Sequence, residues 1–166
     1  IGDAFPEFDY HIAMMSVPRL VQTTLETIPN DMPYILPPAI AHETWRAITR
    51  ADARTEGKKK LRVGLAWSGN PANLIDRRRS IALAMLAPLA EAPNVRFYSL
   101  QVGEAGKQAA ASPFPIIDHT DKLTDFTQTS GLIANMDLII SVDSAVAHLA
   151  AAMNQKVWLL NYTPSD

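Results

Sequence analysis

The sequence predicts an α/β domain with an open, mostly parallel sheet over residues 61 to about 162. Three observations carry this reading. Short apolar runs alternate five times with segments of helical periodicity. The runs are near-continuously apolar, which implies cover on both faces of the sheet. Gly, Pro and Asn mark the turns between them.

The elements follow in order. Arg62–Ser68 reads as the first strand and ends in Gly69-Asn70-Pro71. Ser80–Ala92 carries Ile81, Leu83, Leu86 and Leu89 at helical spacing, with Pro88 inside the pattern as a kink or early stop. Val95–Leu100 is a second strand, Gly103–Ala111 an Ala-rich helix and Phe114–Ile117 a third strand. Thr124–Asn135 reads as a helix with Phe126, Leu132 and Ile133 inward. Asp137–Val142 is a fourth strand, Ala145–Met153 a short helix and Lys156–Tyr162 a fifth strand. Right-handed crossovers between such strands give a Rossmann-like sheet of about five strands.

Residues 1–60 differ. Prolines at 6, 18, 29, 33, 37 and 38 break them up, leaving short helices over Val17–Ile28 and Ile40–Thr49, the latter with Ile40, Trp45 and Ile48 as its apolar stripe. Ala51–Lys60 is polar and ends in three lysines, as a solvated linker does. The division expected is therefore a connecting segment and the end of an upstream domain over 1–60, then a Rossmann-like domain over 61–166. The chain starts at Ile1 and stops after a strand-like run, so a fragment is expected.

Composition narrows the function classes. In 166 residues, 48% are hydrophobic and 19% charged, which is globular and not disordered. The net charge of −2 gives no basic field for nucleic acid. There is no cysteine, which excludes a disulfide framework and a thiolate metal site and fits a reducing, cytoplasmic setting. The four histidines show no metal-ligand spacing, and no apolar run reaches membrane-spanning length. No cofactor is called for.

In parallel sheets, ligands sit outside the carboxyl ends of the strands. Four candidates lie there: Ser68-Gly69-Asn70, Gln101 to Glu104, Asp118-His119-Thr120 and Asp143-Ser144. The last is the most informative. A helix starts directly after a buried strand, so free backbone N–H groups and the helix dipole suit an anion, phosphate above all. Ser144 and Ala145 are small, and His148 lies one turn in. Simple capping by Asp143 or Ser144, with His148 packed on the sheet, uses the same residues. Gly64–Gly69 resembles the start of a P-loop, but no Lys-Ser or Lys-Thr follows, and there is no G-x-G-x-x-G. Asp76 and Arg77-Arg78-Arg79 follow the first strand; an arginine there can neutralise a diphosphate, or the triplet is a solvated loop. Asp118-His119 reads as an acid/base dyad or a turn. Trp67 and Phe126 read as base-stacking residues or core.

Residues 138–150, Leu-Ile-Ile-Ser-Val-Asp-Ser-Ala-Val-Ala-His-Leu-Ala, resemble the D-[ST]-[AG]-x-x-H-x-A signature of heptosyltransferase-like glycosyltransferases. Val63–Pro71 followed by Asp76–Ser80 resembles the opening of the carboxyl-terminal half of bacterial glycosyltransferases attached to tetratricopeptide repeats. Met15–Pro18 and Thr23–Tyr34 resemble the interdomain passage of the same proteins. The resemblance implies the carboxyl-terminal half of a GT-B fold that holds a UDP-, GDP- or ADP-linked sugar, with a glycan or protein as acceptor. It implies that Asp143, Ser144, Ala145 and His148 contact the donor, that Ser68, Gly69, Asn70 and Arg79 border its diphosphate, and that Gln101 lies near the nucleoside. Two departures stand out. Ala145 replaces a frequent glycine, and no clear lysine follows the first strand, which implies an arginine-based clamp. The catalytic base is then expected outside this chain, which would be inactive alone. A nucleotide-sugar epimerase and a non-catalytic interaction module on the same fold are the alternatives.

Overall fold

The computed structural model describes residues 7–53, 60–74 and 76–162. The polar stretch 54–59, with Lys58 and Lys59, and the last four residues lie outside the described ones. By compactness the chain divides after Asp31.

Residues 7–31 hold a 3₁₀ turn, Met14–Ser16, and one turn of α-helix, α1 (Val17–Leu20). The helix expected to run to Ile28 stops here because Gln22 takes φ 53°, a left-handed conformation that ends a helix. None of the described side chains in this unit is buried.

Residues 32–162 build the α/β unit. Its five strands are β1 (Leu61–Ala66), β2 (Val95–Ser99), β3 (Ile116–Ile117), β4 (Leu138–Val142) and β5 (Val157–Leu160). They lie all parallel in the order β3-β2-β1-β4-β5. This is an open, Rossmann-like sheet. β3 is shorter than expected because Pro115 has no N–H for the ladder, so pairing begins at Ile116 while Phe114 turns into the core. β4 starts one residue late because Asp137 spends its carboxylate on the Arg62 N–H, at 2.8 Å.

Alternation along the strands feeds two cores. Val63, Leu65 and Trp67 face one side with Phe97 and Ile140, against the 3₁₀ segments Leu83–Glu91 and Glu104–Ala111. Ala66, Tyr98 and Ile139 face the other side, against α2 (Ala39–Ala53), α4 (Phe126–Ile133) and α5 (Ala145–Ala152). α3 (Asp76–Arg79) is a single turn after β1, where a loop was expected. The segments expected as helices over 80–92 and 103–111 are 3₁₀; in the first, Ser80–Ala82 stays outside and Pro88 withholds a donor.

α2 belongs to this unit, and it runs four residues past Thr49. Its buried line is Ala41, Trp45 and Thr49, spaced i, i+4, i+8. Ile40, expected in the stripe, lies one residue off that line and is exposed. α2 crosses α4 at Gly131, where a Cβ would lie 2.6 Å from Trp45 Cδ1 and 2.9 Å from the Ala41 carbonyl oxygen. α4 starts at Phe126, two residues later than expected, because Asp125 is its N-cap and accepts from the Gln128 N–H at 2.9 Å.

Tyr98 Oη is buried beside Asp52 and Arg96, and among the described residues it makes no hydrogen bond of standard length and angle. Burial pushes this hydroxyl up to about 12, and the Asp52 carboxylate adds to the shift. An unfolded tyrosine ionises near pH 10. Between about pH 10 and 12 the unfolded chain therefore binds fewer protons, and stability falls as pH rises. Tyr98→Phe is expected to flatten that slope and to cost less than about 1 kcal/mol at pH 7, because it removes an unpaired buried group. Urea unfolding of both chains at pH 7 and pH 11 checks this.

Candidate functional site

The order of the strands fixes where a site can form. From β1 the chain moves outward to β2 and β3, then returns to place β4 on the other side of β1. The loops after β1 and β4 therefore diverge and leave a crevice at their carboxyl ends. A cavity of about 940 Å³ occupies this position. Ser68, Gly69, Asn70, Arg79, Gln101, Asp143, Ser144, Ala145 and His148 all line it.

The wall after β1 is built by hydrogen bonds. Gln101 is buried, and its Oε1 accepts from the backbone N–H groups of Trp67 (3.0 Å) and Ser68 (2.8 Å). Its carbonyl oxygen is thus used up in shaping the loop. Asn70 Oδ1 accepts from the Ala72 N–H at 3.0 Å, closing an Asx turn at the rim. Gly69 packs so closely that a Cβ would collide with Asp76 Oδ1 and would lie 2.8 Å from Arg79 Nη2.

Arg79 is the arginine that reaches the cavity; Arg77 and Arg78 are exposed outside it. Its Nε donates to Asp76 Oδ1 at 3.2 Å, and its Nη1 lies 3.8 Å from Asp143 Oδ2. The guanidinium thus spans from the β1 loop to the β4 turn.

On the far wall, Ser144 is the N-cap residue of α5, with extended backbone and no side-chain capping bond. Its Oγ lies 3.0 Å from Ser141 Oγ. Asp143 faces Arg79 on one side and His148 on the other, with Asp143 Oδ1 3.2 Å from His148 Nε2. Neither side chain caps the helix, and His148 is exposed at the cavity instead of packed on the sheet. The first amides of α5 have no partner within the helix, and its first residues, Ala145 and Val146, line the crevice at the positive end of the helix dipole.

One sequence expectation, for Phe126, is corrected, and two open alternatives, at Trp67 and at Asp118-His119, are decided. Trp67 is fully buried, with Nε1–H directed to the Ala105 carbonyl at 3.3 Å, so it offers no stacking face. Phe126, expected inward, is 64% exposed and lines the cavity, because as the first residue of α4 it precedes the buried stripe at Thr129, Leu132 and Ile133. Asp118 and His119 form no dyad. Asp118 Oδ1 accepts from the Thr120 N–H at 2.9 Å and from its hydroxyl at 2.7 Å, while His119 Nε2 lies 3.2 Å from Asp52 Oδ2. Asp76 and Ser80 are the supporting residues that a reading by loops passes over. Their signal was the spacing Asp76-x-x-Arg79-Ser80, which one helical turn brings to one side.

Fold and site together define an open parallel α/β domain with an anion-suited crevice at its switch point. Residues 122–166 match the family described as glycosyltransferase family 9 (heptosyltransferase). That stretch carries Asp143, Ser144, Ala145 and His148, and the match supports a glycosyltransferase. No curated protein and no solved structure matches the chain. No described helix is long and apolar enough to cross a membrane.

Proposed function

We propose that this chain is the donor-binding half of a metal-independent glycosyltransferase of GT-B architecture. The observation that carries the reading is the Asp143–His148 turn, which lies inside the matched stretch and faces Arg79 across the crevice. The five-strand parallel sheet is consistent with the carboxyl-terminal half of that architecture.

In this reading the donor is a nucleoside diphosphate sugar, UDP-, GDP- or ADP-linked. Its diphosphate meets the first amides of α5 and the Arg79 guanidinium, which stabilise the leaving group as the glycosidic bond breaks. His148 donates a hydrogen bond to the same phosphates or to the sugar. Ser68, Gly69 and Asn70 border the diphosphate, and the nucleoside lies along the wall that Gln101 shapes. The base that deprotonates the acceptor, a glycan or a protein, belongs to an amino-terminal domain that faces this one, with the residues before the α/β unit as the passage between them. Upstream helical repeats of the tetratricopeptide type and a cytoplasmic setting belong to the same proposal. The chain alone then binds donor without turning it over.

Titration calorimetry of the full chain with UDP-, GDP- and ADP-sugars tests this. One nucleotide class is expected to bind; His148→Ala is expected to weaken it by roughly tenfold, the loss of one charge-assisted contact, and Asp143→Ala by a similar factor because Arg79 and His148 lose the carboxylate between them. Unchanged affinity in both variants would sink the reading.

A further inference from the structure

We propose that Asp76 is a positioning residue: it aims Arg79 at the diphosphate and locks the Ser68–Gly69 loop beside it. The proposal rests on the donor-site reading above.

Asp76 is a buried carboxylate, 6% exposed, on the single turn α3. Both of its oxygens are used. Oδ1 accepts from Arg79 Nε at 3.2 Å and Oδ2 accepts from Ser80 Oγ at 2.9 Å. With its hydroxyl hydrogen donated in a bond to Asp76, Ser80 Oγ accepts from the Gly69 N–H at 2.9 Å and from the Ser68 hydroxyl at 3.1 Å. One carboxylate thus orders an arginine directly and a loop through a serine. A buried charge is costly unless paired and hydrogen-bonded, and these bonds are what holds it there.

The consequence for Arg79 is directional. With Nε spent on Asp76, the planar guanidinium can turn only as a unit, and its Nη1 edge is directed towards Asp143 across the crevice. A free arginine loses rotamer freedom when it binds an anion. This one has lost that freedom on folding, so the cost is not met again on binding.

The sign of the effect separates this role from simple electrostatics. Asp76 carries a negative charge beside an anion site. By Coulomb's law alone, removing that charge strengthens the binding of an anion. A positioning role requires the reverse.

The test uses the full chain and Asp76→Asn, titrated with UDP, GDP, ADP, the matching nucleosides and inorganic pyrophosphate. Expected is a loss of about tenfold or more for the nucleoside diphosphate that binds, with nucleoside affinity unchanged within about twofold. The Asp76→Asn/Arg79→Ala double variant is expected to bind no more weakly than Arg79→Ala, since the first change acts through the second residue. In nitrogen-15 NMR, the Arg79 Nε–H signal is expected to be protected from exchange in the parent chain and broadened in Asp76→Asn. Equal or tighter diphosphate binding in Asp76→Asn overturns the proposal. So does an equal loss for nucleoside and diphosphate, or a full additive loss in the double variant. If Asp76→Asn does not fold, Arg79→Lys serves instead: it keeps the charge but has no planar fork to aim, so parent-like affinity there overturns the proposal. A parent chain that binds none of these probes defeats the donor-site reading, and the Arg79 Nε–H signal then still reports whether Asp76 holds the arginine.

Discussion

Gly69→Ala is expected to weaken nucleoside diphosphate binding severely while leaving the domain folded. The added Cβ would collide with Asp76 Oδ1 and lie within 2.9 Å of Arg79 Nε. None of these atoms is the free end of an unconstrained side chain, since Asp76 and Arg79 hold one another and Ser80. Either the loop moves off Ser80 Oγ, losing the Gly69 N–H bond, or the Asp76–Arg79 pair is forced apart. Both outcomes displace the arginine from the crevice. One charge-assisted bond contributes about 1.5–3 kcal/mol, and the loop contacts go with it. The affinity loss should therefore be about 50-fold or more. Gly69 is in a rim loop outside both cores, so urea unfolding should change by less than about 1.5 kcal/mol. Retained affinity in a folded Gly69→Ala chain would show that the loop and Arg79 do not contact the nucleotide.

Trp45→Ala should have the largest effect on stability. Trp45 is 1% exposed, and it packs in the core shared by α2, α4 and the sheet. Its Nε1–H donates to Gln128 Oε1 at 3.0 Å, and Gly131 is kept free of a side chain by its ring. Removal empties the α2–α4 crossing, and the backbone there cannot collapse because Ala41 and Gly131 are already in close approach. Truncating a buried aromatic costs about 3–5 kcal/mol, and the upper end is expected here. Equilibrium urea unfolding measures it, with an unchanged slope and a lower midpoint. A loss under about 1 kcal/mol would mean that α2 is not an integral part of the unit.

α2 also shows where a reading by composition stops. Its proline-punctuated surroundings group it with residues 1–60, whereas its Ala41–Trp45–Thr49 face joins it to α4. Helix periodicity reveals a face but not its partner. The same limit applied to Phe126. An apolar residue at the start of a periodic run reads as core, and only the position of Asp125 as N-cap places it on the cavity rim. Trp67 shows the converse. Its place near a strand end left stacking and core both open, and strand alternation carries it into the core with Val63 and Leu65.

The class of fold and the neighbourhood of the candidate site are legible in one chain's residues. Strand alternation, helical period and turn residues are local, so five strand-helix units and their carboxyl-terminal loops can be read from one chain. Strand-end candidates could be named because parallel sheets open their crevices at that edge, and the family resemblance narrowed them to nine residues and brought in Arg79. The family resemblance pointed to Arg79 among the three consecutive arginines, but only packing supplied the contacts by which Asp76, itself bonded to Ser80, and Asp143 hold it at the crevice. The contact between Arg79 and Asp143 joins residues 64 positions apart through the β1–β4 pairing. No local pattern records which side chain meets another once distant strands are paired. That information lies in packing geometry, where a single glycine at 69 leaves the space in which the carboxylate and the arginine meet.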